Sequence, residues 1–333
     1  MTSLRIVAAC AGLALLGAGV VGYVFLREVD GAPATGLSGF HHPRTVHLAP
    51  DGRVIVTDLG TGQDDGRVVA VDLDSGKQET LLDHLPSTKN SGQRYADLAG
   101  PSGAAMARAG VRNGAVCAVI GDANKPGRGF NTMRCSNGLT ADFKAFEEAN
   151  NPDGREIASN PYDIVPDGQT GWYVSDAAAN VVLHVDEKGT IEVVALFEGF
   201  CCLVDRAAEA VPTGLAISVS GRGDQFVGMA LFGGAVASVG RAGPVGPAVS
   251  QPGVIFGRIP HPIAVTFDGK DVYSLVYDDG AGTAQSGAIY GPLGKRDIAN
   301  GLDRPTGFAA LRDHRFVVAE EERGRVYIVS AKE

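Results

Sequence analysis

The sequence feature that most constrains the fold is a pattern that repeats six times. Each copy consists of a proline, a short apolar strand, a turn and a second strand, and the copies begin at Pro43, Pro101, Pro161, Pro212, Pro262 and Pro305. Successive prolines are 58, 60, 51, 50 and 43 residues apart, which is typical of propeller blades that carry insertions in the first half. Because a four-stranded sheet cannot bury both faces alone, the repeats predict an all-β, six-bladed β-propeller over residues 33–333.

Turns and later strands complete each repeat. Asp-Gly and Asn-Gly pairs lie between the apolar runs, where a tight turn requires positive φ. They are Asp51-Gly52, Asn113-Gly114, Asp167-Gly168 and Asp268-Gly269. Third strands are predicted at 67–72, 181–186, 288–293 and 325–329, and outer strands at 78–82 and 190–196. The sixth repeat lacks an outer strand of its own. We expect residues 34–38 to supply it and so tie the last blade to the first.

The amino-terminal segment predicts a membrane anchor. Residues 6–26 contain no charge and would rise about 31 Å as a helix, enough to cross a hydrocarbon core. A cleavable signal peptide has a shorter apolar region, although Ala32-Pro33-Ala34 offers a cleavage pattern. We therefore treat residues 1–32 as a signal anchor and linker. The alternative is a secreted protein released by cleavage.

Charges flanking this segment predict its orientation. Arg5 and the terminal amine precede it, whereas Arg27 is offset by Glu28 and Asp30. The positive-inside rule then places the amino terminus in the cytoplasm and the propeller in the periplasm or outside the cell. The expected location is the cytoplasmic membrane, with a single pass.

Small residues recur every four positions in the predicted anchor, at Cys10, Ala14, Ala18 and Gly22. Such a stripe permits close helix packing in lipid, which would let Ala14, Ala18 and Gly22 dock against a membrane-protein partner. The alternative is a chance spacing in an Ala- and Gly-rich segment.

The net charge and the cysteine content limit the kinds of partner and the cellular compartment that we expect for this protein. The formal net charge of −9 argues against non-specific binding of nucleic acid. Four cysteines remain beyond the anchor, an even number that suits an oxidising compartment. Cys117 and Cys135 lie in consecutive predicted strands, so we favour a disulfide between them. A bridge between the adjacent Cys201 and Cys202 would be strained.

One helix interrupts the β pattern after the second repeat. Thr140 is predicted to cap it, Phe143 and Phe146 share one face, and Asn150-Asn151-Pro152 ends it. We interpret this helix as a structural cover that replaces or overlies the outer strand of the second blade.

The run from Phe146 to Gly168, FEEANNPDGREIASNPYDIVPDG, resembles the ScyD/ScyE family of exported six-bladed β-propellers. The stretches at 100–103 (GPSG) and 210–217 (AVPTGLAI) are also similar to it, and the repeats more distantly resemble NHL-type propellers. The long apolar anchor and the Cys201-Cys202 loop depart from the family pattern. The resemblance implies the fold but supplies no catalytic residues.

Candidate ligands follow from rotational equivalence of the repeats. The residues before the six prolines should ring one mouth of the channel. With neighbouring Arg44 and Asp163 they give a candidate anion site comprising His42, Arg44, Asn160, Asp163, His261 and Arg304. A second ring of acids at equivalent second-strand ends is a candidate cation site, with calcium as the ion, comprising Asp58, Asp176, Asp278 and Glu320. For both rings the alternative is hydrogen bonding within the protein.

Two functions remain open from the sequence. The first is a non-catalytic, membrane-tethered propeller that binds or scaffolds, as an accessory subunit of a membrane complex. The alternative is an enzyme on the same architecture, either a metal-dependent lactonase or a quinone-cofactor sugar dehydrogenase, with its site at the channel mouth. Local catalytic motifs, including G-x-S-x-G, H-E-x-x-H and the Walker A loop, are absent from the sequence. Fold does not decide activity, and we favour binding.

Overall fold

The computed structural model describes residues 26–29, 32–89, 98–108, 114–123, 129–197, 210–219, 225–240, 253–257, 259–292, 296–312 and 314–331. These residues form an all-β, six-bladed propeller of antiparallel sheets. The innermost strand of each blade begins at one of the six repeat prolines. The fold predicted from the repeats is therefore confirmed.

The chain first forms a hairpin and then the first two blades. The hairpin strands are β1 (Leu26–Val29) and β2 (Ala32–Leu37). Blade 1 consists of β3 (Pro43–Leu48), β4 (Val54–Asp58), β5 (Gly66–Val71) and β6 (Gln78–Leu85). A ribbon follows, formed by β7 (Thr88–Lys89) and β8 (Leu98–Ala99). Blade 2 consists of β9 (Pro101–Met106), β10 (Val116–Ile120), β11 (Thr132–Cys135) and β12 (Thr140–Asp142), and helix α1 (Phe143–Asn150) comes after it.

The remaining four blades repeat the same order. Blade 3 consists of β13 (Pro161–Pro166), β14 (Trp172–Asp176), β15 (Val181–Val185) and β16 (Ile191–Leu196). Blade 4 consists of β17 (Pro212–Val219), β18 (Gln225–Leu231), β19 (Ala235–Gly240) and β20 (Gly253–Gly257). Blade 5 consists of β21 (Pro262–Phe267), β22 (Val272–Val276), β23 (Gly287–Tyr290) and β24 (Arg296–Leu302). Blade 6 contains β25 (Pro305–Ala310), β26 (Arg315–Glu320) and β27 (Arg325–Ser330).

A strand from the start of the chain closes the ring. β2 pairs antiparallel with β27, with Gly36 opposite Tyr327 and Leu37 opposite Val326. β1 extends the same sheet by pairing with β2. Each innermost strand packs against the next one around the axis, and β25 packs against β3. The predicted use of residues 34–38 as the missing outer strand is confirmed.

Blades 2, 4 and 6 share a Pro-Ser/Thr-Gly sequence that fits each of them to the next blade. Ser102 Oγ donates to the carbonyl oxygen of Pro161 at 2.6 Å, and Thr306 Oγ1 donates in the same way to Pro43 at 3.2 Å. A Cβ on Gly103 would lie 2.6 Å from Cα of Asp163, a distance that only glycine tolerates. Larger inward residues therefore come from blades 1, 3 and 5, which alternate with these.

Apolar clusters between neighbouring blades hold the ring together. Met133 of blade 2 packs with Trp172 and Leu183 of blade 3. Leu275 of blade 5 packs in the same way with Phe308 of blade 6. Each blade thus buries its faces against its neighbours, as expected for sheets that cannot be stable singly.

A disulfide joins two strands of blade 2. Cys117 of β10 lies directly opposite Cys135 of β11, and the two form the bridge that the sequence favours. A cross-link that closes a loop of about this size contributes roughly 3 kcal/mol to stability. Cys201 and Cys202 lie outside the described residues.

Helix α1 differs in detail from its prediction. Thr140 lies in β12, so blade 2 keeps its outer strand and the helix follows that strand. The cap is Asp142, whose carboxylate accepts a hydrogen bond from Ala145 N at 2.9 Å. The sequence offers two capping side chains, and pairing of Thr140 with Arg134 across the sheet removes the first. The helix ends at Asn150 as predicted, with Asn151 in the left-handed region at φ 38°.

The predicted anchor lies almost entirely outside the described residues. Its last residue, Leu26, is the first residue of β1. The stripe of Ala14, Ala18 and Gly22 has no described structure. In the part of the chain that the structure describes, no helix has the length and apolar character needed to cross a bilayer.

Candidate functional site

The residues that precede the repeat prolines form one mouth of the channel, which we term the pre-proline mouth. Their carbonyl oxygens accept backbone hydrogen bonds from the residue that follows the second strand, for example from Leu59 to His42 at 3.0 Å and from Ala177 to Asn160 at 3.0 Å. The same bond links Gly121 to Gly100, Phe232 to Val211 and Tyr277 to His261. The rotational equivalence predicted for these positions is therefore present in blades 1 to 5.

The acidic residues of the predicted cation ring are each bound within their own blade. Asp58, Asp176 and Glu320 lie opposite their repeat prolines in the strand register. In blade 5 that position is Val276, so Asp278 lies two residues beyond it. The sequence predicted that Asp278 is equivalent to the other three acids, and the strand register shows that this prediction is wrong.

Hydrogen bonds show what these carboxylates do. Asp58 accepts from His42 N at 2.8 Å and from Arg67 Nη2 at 2.9 Å, and Glu320 accepts from Asp303 N and Tyr327 Oη. Asp176 accepts from Asn160 N at 2.7 Å, yet burial still raises the pKa of its carboxyl group. Within the described ranges, no three His, Cys, Asp or Glu side chains are grouped so that they could hold a metal ion.

Arg44, a predicted anion ligand, forms an ion pair with Glu321 inside the protein. Its Nε donates to Glu321 Oε2 at 2.7 Å and its Nη2 donates to Glu321 Oε1 at 3.1 Å. The guanidinium carbon lies 6.0 Å from the centre of the Tyr162 ring. Burial acts to lower the pKa of Arg44, but the charge and hydrogen bonds of Glu321 outweigh it and raise that pKa. Arg44 therefore remains charged.

The other predicted ligands at this mouth also have partners. Arg304 Nη1 donates to Glu322 Oε1 at 2.6 Å, and Asn160 Oδ1 accepts from Asp122 N at 2.9 Å. His42 Nδ1 lies 2.7 Å from the carbonyl oxygen of Gly60. Sequence reasoning did not include Glu321 and Glu322, which follow β26 in a short 3₁₀ turn and compensate both arginines.

His261 is held in a defined orientation on the same side of the molecule. Its ring stacks on Phe232, with centroids 4.5 Å apart and planes 7° apart, and its Nδ1 lies 2.5 Å from Asp278 Oδ1. Its backbone has φ 33°, a left-handed conformation. Burial raises the pKa of the neighbouring Tyr277 to about 12, and the charge of Glu322 adds to this effect. The polar side chains of this region are therefore hydrogen-bonded to one another.

A cavity of about 430 Å³ opens at the other mouth, where the innermost strands end. We term it the His47 cavity. It falls within the size range of small-molecule sites. Its lining is contributed by blades 1 to 5 and consists of His47, Leu48, Pro50, Ala105, Met106, Ala107, Arg108, Val165, Pro166, Gly168, Gln169, Gly171, Ala216, Ile217, Thr266 and Phe267.

His47 lies at the inner part of this cavity and is oriented by Asp163. The imidazole Nε2 is 2.8 Å from Asp163 Oδ1, and the His47 side chain is 18% exposed. Burial acts to lower the pKa of His47, but the charge and hydrogen bond of Asp163 outweigh it, so the pKa is raised. Among the described residues, Nδ1 of His47 has no hydrogen-bond partner. That nitrogen is therefore available to a ligand.

Asp163 joins three blades through one carboxylate. Besides His47 of blade 1, it accepts from Ile164 N of its own blade and from Leu215 N of blade 4, both at 2.8 Å. A register shift after Pro161 at the start of β13 precedes it, and its N–H donates to Ser175 Oγ. Because the previous blade presents Gly103, whose Cβ would lie 2.7 Å from Asp163 Oδ1, the carboxylate has room on the axis.

The sequence carries a signal for the pairing of His47 with Asp163 at equivalent positions of the six repeats. Four residues after each repeat proline, the six blades carry His47, Ala105, Val165, Ala216, Thr266 and Ala309. His47 is the one ionisable side chain in that set. Asp163 has the same distinction two residues after the prolines. Comparison of the blades level by level places both residues on the axis, whereas the positions nearest the prolines do not reveal His47.

Several solved structures have the same fold and align with most of this chain. A candidate gluconolactonase is 14% identical, with a TM-score of 0.52, 91% of this chain covered and 93% of the other. A streptogramin B lyase is 11% identical, with a TM-score of 0.53 and coverages of 90% and 97%. An auxiliary nutrient binding protein from Bacteroides thetaiotaomicron is 10% identical, with a TM-score of 0.55 and coverages of 89% and 70%.

These likenesses establish the class of the protein, a six-bladed β-propeller. The chain shares this fold with enzymes and with a binding protein, so the fold is compatible with either function. No protein-family model matches the sequence, and no curated protein matches it.

Proposed function

We propose that this chain is a membrane-tethered, extracytoplasmic propeller that binds a small ligand in the His47 cavity without transforming it. The observation that carries the proposal is the His47–Asp163 pair at the inner end of a cavity of about 430 Å³. The cavity combines mostly apolar walls with a fixed polar group, as small-molecule sites do. The polar groups at the opposite mouth are instead engaged with one another.

Filling the cavity should abolish ligand binding. Ala216 lines it, so Ala216→Phe would occupy space that a ligand needs. In a thermal-shift screen of small metabolites, a compound at about 100 times its Kd stabilises the folded state by about 2.7 kcal/mol. We expect such compounds to raise the Tm of the natural protein by several degrees and to leave that of Ala216→Phe unchanged.

The control carries the same substitution at an exposed site. Ala149 is exposed on α1, so Ala149→Phe should respond to the compounds as the natural protein does. Compounds that stabilise Ala216→Phe equally well would place the ligand elsewhere and refute the cavity as the site.

The tether is proposed from the uncharged run at residues 6–26. The Cys117–Cys135 disulfide supports an oxidising location, since such bonds persist outside the cytoplasm. Membership of the ScyD/ScyE family is likewise a proposal, supported by the Asn150–Gly154 and Asn160–Tyr162 motifs.

A membrane partner is expected to bind through the small-residue stripe. After mild solubilisation, a co-purifying membrane protein should be lost when Ala14, Ala18 and Gly22 are changed to leucine, because the larger side chains prevent close approach. Recovery of the full chain in the soluble fraction would contradict the tether. Retention of the partner by the leucine variant would contradict docking through the stripe.

The second candidate function is catalysis in the same cavity. It is favoured by one observation, the orientation of His47 by a buried carboxylate, which is the arrangement of a general base. The structural neighbours suggest lactone hydrolysis and lyase chemistry as reactions to assay. Turnover of gluconolactone or a streptogramin that is lost in His47→Gln would replace the binding proposal with an enzymatic one.

A further inference from the structure

The charges around the His47 cavity differ from those of the chain as a whole. The protein carries a net charge of −9. Among the described residues that line the cavity, two are ionisable, His47 and Arg108, and both are basic. Asp163 lies behind the imidazole and is 2% exposed. The described lining therefore offers basic side chains and no acidic one, which favours an anionic ligand over a cationic one.

The polar group at the inner end of the cavity is His47, whereas Arg108 and Gln169 lie beyond the ends of their strands, toward the mouth. His47 contacts Asp163 on the axis of the ring, so it occupies the inner end. Leu48 and Pro50 follow in β3 and the turn after it, toward the mouth. Leu48 is 51% exposed, a high value for a large apolar side chain. Met106, Ile217 and Phe267 lie at the same level as Leu48, each five residues after its repeat proline.

From this arrangement we infer that the ligand is an amphiphilic monocarboxylate that enters with its carboxylate first. The inference rests on the proposed function, because it assigns a chemical class to the ligand of the same cavity. The carboxylate accepts a hydrogen bond from His47 Nδ1, whose ring is held by Asp163 on the other side. The apolar body lies against Leu48, Met106, Ile217 and Phe267.

The chemistry of the dyad supports a single anionic group. The imidazole donates one proton from Nε2 to Asp163, which leaves Nδ1 as its one position for a ligand. Asp163 favours the protonated ring, in which Nδ1 is a donor. A charge-assisted hydrogen bond to a carboxylate is stronger than one to a neutral hydroxyl. An alkyl ammonium ion would be repelled by both basic side chains.

Three probes with one tail and different head groups test the class. Octanoate, 1-octanol and octylamine would be titrated calorimetrically into the full chain in lipid nanodiscs, with protein-free nanodiscs as the blank. We expect octanoate to bind at least tenfold more tightly than either of the others. His47→Gln should reduce the affinity for octanoate at least tenfold and leave that for 1-octanol unchanged.

A second variant covers the case in which His47→Gln does not fold. Arg108 is exposed, so Arg108→Gln keeps the core intact and should weaken octanoate binding several-fold. Lys188→Gln, on an exposed turn outside the cavity, should change nothing. Preference for octanoate that persists in both cavity variants would overturn the head-group assignment.

The outcomes separate this inference from the proposed function. If 1-octanol binds as tightly as octanoate and Ala216→Phe abolishes both, the cavity is the ligand site but the carboxylate class is wrong. If no probe binds the natural protein, the class is also overturned. In that case the thermal-shift screen against Ala216→Phe still decides whether the cavity binds any ligand.

Discussion

Replacing Asp163 with alanine is expected to lower the free energy of unfolding by about 3–5 kcal/mol, the usual cost of breaking a buried ion pair. The Asp163 carboxylate is 2% exposed and accepts from His47, Ile164 N and Leu215 N. Alanine leaves two buried backbone N–H groups and a buried imidazole without their acceptor. The substitution therefore removes hydrogen bonds from blades 1, 3 and 4 at the same time.

Urea unfolding followed by circular dichroism measures this effect. Asp163→Asn keeps the volume but turns an acceptor into a donor, so we expect a smaller loss of about 2 kcal/mol. The control is Asp74→Ala on an exposed turn, which should change stability by less than about 0.5 kcal/mol. A value for Asp163→Ala within about 1 kcal/mol of the natural protein would show that the carboxylate does not join the blades.

Replacing Glu147 with glutamine is expected to stabilise the protein above neutral pH. Glu147 lies on α1, is 2% exposed, and its Oε1 has no hydrogen-bond partner in the described structure. Burial raises the pKa of this carboxyl group from 4.5 to about 7, and the charges of Asp176 and Asp153 add to the effect. The folded state therefore holds a proton that the unfolded state releases near pH 4.5.

The sign of the pH dependence follows from that difference. Below pH 4.5 both states are protonated and Glu147 has no effect, whereas stability falls as the pH rises toward 7. A shift of this size corresponds to about 3 kcal/mol at most. We expect Glu147→Gln to match the natural protein near pH 4.5 and to exceed it by about 2–3 kcal/mol at pH 8.

Melting temperatures measured across pH 4.5–8.5 check this prediction. Glu148→Gln is the matched control, because Glu148 is an exposed neighbour that pairs with Lys144 at 3.3 Å, and its profile should parallel that of the natural protein. A difference between Glu147→Gln and the natural protein that stays constant with pH would contradict the raised pKa.

The sequence predicts the architecture because each of the six blades carries the same pattern of proline, strand, turn and strand. The six prolines mark the six innermost strands, and the glycines of the tight turns, such as Gly52 and Gly269, have the positive φ that hairpins require. The closing strand follows from counting three strands in the sixth repeat. The cap of α1 was mistaken because Thr140 and Asp142 are both good caps, and the choice depends on strand pairing across blade 2.

The site is harder to predict because it depends on long-range pairing. The sequence alone suggests that Arg44 is free to bind an anion, but Glu321, which is 277 residues away in the sequence, forms an ion pair with it. The sequence suggests that Asp278 is equivalent to Asp58. In the structure the equivalent of Asp58 is Val276, two residues before Asp278. His47 and Asp163 come from blades 1 and 3. Contacts of this kind become visible only once the blades are superimposed level by level.

The seam between β2 and β27 sets the order in which the molecule can be completed. Gly36 is among the first described residues to be synthesised, and its partner Tyr327 is among the last. The ribosome thus releases one half of the seam long before the other, and pairing of β2 with β27 joins segments that are far apart in the sequence, a slow kind of contact. A premature stop before Tyr327 would leave an open arc of five finished sheets, whose unpaired edge is a template for aggregation.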